Sequence, residues 1–124
     1  MGTKLLWGAL GVSLVLALAC GGAAPVECVG HVSHAGQTYQ PESGVADAAQ
    51  AQKNACNLYC LDADPEYEAM YQIWRSSPGG DPSVSKKDAL YRSDRLLDYV
   101  TVTCAERCVS EIQAGTLQGG VSCE

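Results

Sequence analysis

Cys56-Asn57-Leu58-Tyr59-Cys60 and Cys104-Ala105-Glu106-Arg107-Cys108 are two C-x-x-x-C units in a chain of 124 residues. On a helix, residues i and i+4 point the same way, so each unit presents two sulfurs on one face. Two such faces set antiparallel are bridged Cys56 to Cys108 and Cys60 to Cys104. Set parallel, they are bridged Cys56 to Cys104 and Cys60 to Cys108. Both need Cα atoms within about 7 Å, which close-packed helices reach. The antiparallel pairing is the expectation. Cys28 and Cys123 are then left for each other, tying the N-terminal strand to the tail.

The segments around these units follow from composition and turn chemistry. Residues 27–40 supply β-type side chains on either side of Ala35-Gly36, predicting strand 27–33, turn 34–36 and strand 37–40. Pro41-Glu42-Ser43-Gly44 breaks that pattern. Val45 to Leu61 is rich in Ala, Gln and Lys and reads as a helix, with Ser43 as its cap and Asp47 in its first turn. Asp64-Pro65 starts a second helix, running to Arg75. A third is predicted from Ser85 to Ala114, opened by Ser85 and Asp88 as a capping box and closed by Gly115. The β-branched run Tyr99-Val-Thr-Val-Thr interrupts its propensity. Residues 116–124 read as a short tail. The expected fold is α+β and mostly helical: a short N-terminal β-hairpin, then about three helices, disulfide-stapled.

The twin units are similar to those of stapled helical hairpins, such as the small mitochondrial intermembrane-space chaperones and plant hairpin peptides. Those families keep their units close together, whereas residues 61–103 lie between them here. The resemblance implies a local architecture and no activity. A second chemistry for the same four thiols is a Zn²⁺ or Cu(I) site. Zinc sites more often use C-x-x-C, and disulfides are the expected use, leaving no cofactor assigned.

Residues 1–20 read MGTKLLWGALGVSLVLALAC. Lys4 precedes an uncharged run from Leu5 to Ala19. At 15 residues it falls short of the roughly 20 needed to span a bilayer, and it has the size of a secretory signal's apolar core. Ala17-Leu18-Ala19-Cys20 resembles the lipobox of bacterial lipoproteins, although the usual Leu at −3 is Ala17 here. The resemblance implies cleavage before Cys20, acylation of that cysteine with palmitate-type chains, and a Gly-rich tether over 20–26. The chain length fits one small domain, expected as a single stapled unit over 27–124. The destination is the bacterial cell envelope, with the outer membrane favoured because Gly21, not Asp, follows Cys20. Cysteine parity agrees, since seven Cys minus Cys20 leaves an even number to pair. Two acyl-bearing groups hold a membrane far better than a single myristoyl chain.

Net charge is −6. Lys4 is the one basic residue in 1–19, so cleavage takes it to −7. That balance excludes a phosphate-binding footprint and hence nucleic acid as a partner. An apolar fraction of 47% excludes wholesale disorder. Other candidate sites reduce to structural roles. His31 and His34 sit three apart, on opposite sides of a strand. Asp62-Ala-Asp64-Pro-Glu66-Tyr-Glu68 starts like a calcium loop but has Tyr67 and Ile73 where Gly and Glu are required. Gly79-Gly80-Asp81-Pro82 lacks the Gly-Lys-Ser/Thr of a phosphate loop. No Ser or Cys stands in a nucleophile–His–Asp pattern.

One stripe is left. Tyr67, Met70, Tyr71 and Trp74 recur at i, i+3, i+4 and i+7, an amphipathic face whose default use is core packing. Tyr and Trp also anchor interfaces, so this is the candidate surface for an unknown protein partner. The functional expectation is a non-catalytic envelope lipoprotein with a structural or interaction role, with metal handling by the twin thiols as the alternative.

Overall fold

The computed structural model describes residues 26–124. The signal segment, Cys20 and the tether up to residue 25 lie outside the described residues. The elements run β1 (Cys28–His34), β2 (Gln37–Tyr39), α1 (Ala48–Ala63), α2 (Pro65–Arg75), α3 (Lys86–Ala89), α4 (Asp94–Asp98), a π-helical segment (Tyr99–Cys104), α5 (Ala105–Ala114) and β3 (Gln118–Cys123). The fold is α+β and mostly helical. Among the described residues no helix is long and apolar enough to cross a membrane.

The hairpin forms where turn chemistry demands. His34 pairs with Gln37, leaving a two-residue loop. Ala35 and Gly36 both have positive φ, 50° and 80°, the signature of a type I′ turn that matches strand twist. The tail, however, is a strand. β3 pairs antiparallel with β1 from Cys28↔Cys123 to Ser33↔Gln118, and the sheet order is β2-β1-β3. The two glycines of Gln118-Gly-Gly-Val hide this strand from a propensity reading, because Gly is depleted in strands.

β1 alternates, with Cys28, Gly30 and Val32 buried and facing α1. Gly30 has no Cβ for a packing reason. A Cβ there would collide with the carbonyl of Ala51 on α1, so glycine lets strand and helix backbones touch.

α1 starts later than the sequence suggested. Asp47, not Ser43, is its cap, and the Asp47 carboxylate accepts from the N–H groups of Ala49 and Gln50. Residue 45 instead bonds to the sheet, exchanging two backbone hydrogen bonds with Cys28 at 2.7 and 2.9 Å. α2 begins as expected, with Asp64 capping Tyr67 N–H at 3.0 Å and Pro65 in the first turn.

The predicted helix over 85–114 is broken. Ser85 caps only the short α3. Ser93 caps a new start by accepting from Leu96 N–H, and the chain is then continuous to Gly115, which closes α5 with φ 80°. The β-branched run occupies the π-helical segment. There Thr101 Oγ1 donates to the carbonyl of Leu97 at 2.7 Å, a back-bond of the kind that disturbs regular helix. A wider turn also relieves the crowding of successive branched side chains.

Three bridges pin these layers together. Cys56–Cys108 and Cys60–Cys104 join α1 to the π-helical segment and α5 in the antiparallel sense, with Cα separations of 5.8 and 6.1 Å. Cys28–Cys123 links directly opposite residues of β1 and β3. The four helical cysteines are buried at the centre of a core that includes Val32, Ala55, Tyr67, Leu96 and Val100.

Candidate interaction surface

α2 presents the aromatic stripe, and the structure divides it. Tyr67 and Tyr71 point inward and are buried. Tyr67 Oη donates to the carbonyl of Lys86 at 2.6 Å, and Tyr71 Oη donates to that of Val84 at 2.5 Å. These two bonds tie the connection between α2 and α3 to the core. Burial first, and then the nearby Tyr71 and Glu68, push the Tyr67 hydroxyl up to about 12. Arg75 closes the same corner, lying 5.4 Å from the Tyr71 ring centre and donating to the carbonyl of Pro82 at 2.5 Å.

Met70 and Trp74 take the other role. They are half-buried and line a groove of about 250 Å³ between α2 and the start of α4, together with Ile73, Ser93, Arg95 and Leu96. Ile73 is 73% exposed, the most open large aliphatic side chain among the described residues. Trp74 stacks on Tyr71 with ring centres 6.4 Å apart, so its indole is held in place. Ser77 and Gly80 wrap the end of α2, where a Cβ at Gly80 would collide with the carbonyl of Trp74. The groove is apolar with one cationic rim residue. Among the described residues Arg95 makes no ion pair.

The charge pattern gives this corner a distinct character. Residues 75–95 hold Arg75, Lys86, Lys87, Arg92 and Arg95 against Asp81, Asp88 and Asp94. The stretch is net positive on an acidic molecule.

A second cluster went unnoticed in the sequence. Asp64, 8% exposed, takes three donors. Besides Tyr67 N–H, it accepts from Tyr99 Oη at 2.5 Å and from Arg107 Nη2 at 2.7 Å. Arg107 Nη2 also lies 2.9 Å from Tyr99 Oη, and Glu66 stands 3.1 Å from that hydroxyl. Burial, then the hydrogen bond to Asp64, raises the Tyr99 hydroxyl far above its ordinary range. A tyrosine so held stays protonated and is no general base at neutral pH. The cluster offers no nucleophile. It welds the α1–α2 corner to α5. Its only trace in the sequence is Arg107 inside the second C-x-x-x-C unit, four residues before Glu111.

The remaining candidates have structural uses. The cysteines of both C-x-x-x-C units are spent in bridges, so the oxidised protein offers a metal no thiolate there. Among the described residues no group of three His, Cys, Asp or Glu converges. His31 and His34 fall on opposite faces of β1, and His34 meets the Tyr59 ring edge-to-face at 5.3 Å. In the acidic run, Asp62 accepts from Tyr39 Oη at 2.6 Å, and Glu68 pairs with Lys86 at 2.6 Å. The Asp62 contact pushes the Tyr39 hydroxyl up to about 12.

No protein-family model, characterised protein or solved structure shows significant similarity to the chain.

Proposed function

We propose that this chain is a non-catalytic cell-envelope lipoprotein that acts through protein interaction. It is held by an acylated Cys20 and uses the Met70–Trp74 groove as its partner-facing surface. The observation that carries the reading is the cysteine inventory. Three bridges among the described residues take up six of the seven cysteines. The seventh is the Cys of Ala17-Leu18-Ala19-Cys20, at the end of an uncharged run of secretory length. A thiol outside the framework of an exported protein needs a use, and acylation supplies one. The bridges are compatible with an oxidising, exported setting. The groove supports the interaction half of the proposal, since apolar side chains beside a cation are what an interface anchors on.

The intact mass of membrane-extracted protein tests it. The expected species begins at Cys20, carries acyl chains and has no reactive thiol until reduction exposes six. Cys20→Ser is expected to leave the membrane fraction without loss of the bridges. A mature chain that begins elsewhere, or an unmodified Cys20, would overturn the anchor. Four thiols reactive before reduction, with a co-purifying metal, would replace the interaction reading with metal handling.

A further inference from the structure

β3 is an edge strand. Glu27 and Glu124 exchange two backbone hydrogen bonds at 2.9 Å. Alternation along the antiparallel ladder then makes Val29–Ser122, His31–Gly120 and Ser33–Gln118 the bonded pairs. The N–H and C=O groups of Gly119, Val121 and Cys123 therefore point away from β1. Among the described residues no backbone group outside the sheet bonds to them.

The two edges of the sheet are finished differently. β2 has three residues, and Pro41 follows it closely. Shortness and proline are standard ways of blunting an edge. β3 has six residues, QGGVSC, and an uninterrupted register with no bulge. It has no Lys and no Pro, and residues 112–123 carry no charge at all in a chain of net charge −6.

We infer that this edge pairs with the same edge of a second copy, antiparallel about a two-fold axis through Val121. The two three-stranded sheets become one continuous sheet. In that register Val121 faces Val121 of the second copy, and Gly119 faces its Cys123. All three outward-pointing residues then find partners, at two N–H···O=C bonds per pair. Gln118 stands opposite Glu124, so no like charges meet. The Val121 side chain lies across from Gly30 and is 36% exposed; the two-fold sets it against its own copy. An extended segment of another protein could use the same backbone groups. The second copy is favoured because the register is self-complementary, and because Gly119 and Gly120 offer no side-chain pocket to select a foreign sequence. The inference rests on the sheet and is independent of the anchor.

The test is sedimentation and amide exchange of the exported full chain in detergent, over a concentration series, since a six-residue edge is a small interface. The expected result is a particle containing twice the chain mass. Exchange at Gly119, Val121 and Cys123 slows as concentration rises, while Gly120 and Ser122 are slow throughout. Val121→Pro removes an outward N–H and spares the ladder; it is expected to be monomeric with all three bridges formed. Ser122→Pro removes an inward N–H and is expected to loosen β3, which separates damage to the fold from blocking of the edge. Should Val121→Pro fold poorly, Val121→Asp sets like charges across the axis and is expected to dissociate the pair. A monomer at every concentration, with exchange at the three amides unchanged, would overturn the inference. So would a Val121→Pro protein that folds and still dimerises, or protection of those amides only in the presence of a different co-purifying protein.

Discussion

Ala35 is the one residue among those described with a side chain and a positive φ, at 50°. The left-handed region costs an L-residue roughly 1–2 kcal/mol, and Asn tolerates it far better than Ala. Ala35→Asn is therefore expected to stabilise the protein by about 0.5–1 kcal/mol, read as a higher midpoint in thermal unfolding. Asp64 makes the opposite case. It is a helix cap, an ion-pair partner and the acceptor for a buried hydroxyl at once. Asp64→Ala leaves Tyr67 N–H without its acceptor, and leaves Tyr99 Oη with Glu66 and Arg107 with Glu66 and Glu111; it is expected to cost about 2–3 kcal/mol by denaturant unfolding. The tyrosines also give a pH signature. Tyr39 and Tyr67 are both raised from 10.0 to about 12. Their folded values exceed their unfolded ones, so their contribution is complete below pH 10 and is lost as pH rises through 12. Tyrosinate absorbance is expected to lag the free-tyrosine curve in that window and to catch up on unfolding.

At the scale of elements, the contact between β1 and α1 depends on the missing side chain of Gly30. Gly30→Ala forces the strand away from Ala51, and a loss of about 1–3 kcal/mol is expected, measured by urea unfolding. The elements also show what a single sequence reveals. The two C-x-x-x-C units carried the facing pairs of sulfurs because i, i+4 geometry is local and rigid; that spacing fits parallel and antiparallel bridging alike, and the structure has the expected antiparallel sense. Ala35-Gly36 carried the hairpin for the same reason. β3 was hidden because its ladder with β1 is a contact 95 residues long by way of Cys28–Cys123, written in glycines with no strand propensity. The break before Ser93 was missed because Ser85-x-x-Asp88 is a sound start signal and no Gly or Pro interrupts the chain after it; the local sign of the second start is Ser93-Asp94, a cap with acid in the first turn. Half of the aromatic stripe was similarly ambiguous. Spacing placed Tyr67, Met70, Tyr71 and Trp74 on one face, but only the packing of α3 and α4 decides which two are covered. The Asp64–Tyr99–Arg107 cluster joins three segments, and Arg107 inside its C-x-x-x-C unit does not by itself point to the other two.

For the whole molecule, the bridges differ in exposure. Cys56, Cys60, Cys104 and Cys108 are at most 1% exposed, whereas Cys123 lies on the open edge. Limited reduction followed by alkylation and peptide mapping is expected to mark Cys28 and Cys123 first, since thiol–disulfide exchange requires access. Deleting an inner bridge tests the core directly. Cys60→Ala with Cys104→Ala removes a bridge of sequence separation 44, but Cys56–Cys108 still holds the two units together, so the closure lost is that of a short ring, worth about 3 kcal/mol in the chain-entropy model. That is a large fraction of the net stability of a small domain, and the pair is expected to show a clearly lowered thermal midpoint by circular dichroism.

The three bridges are nested, Cys60–Cys104 inside Cys56–Cys108 inside Cys28–Cys123. In the order of synthesis, Cys28, Cys56 and Cys60 all emerge before any of their partners. A nascent chain that has reached residue 103 holds Cys28, Cys56 and Cys60, with Cys20 besides, and no correct mate, so every bond available to it is wrong. Maturation therefore proceeds either by keeping these thiols reduced until the last sixth of the chain arrives, or by reshuffling early mistakes. The protein's yield should depend on a disulfide isomerase more than on the supply of oxidant.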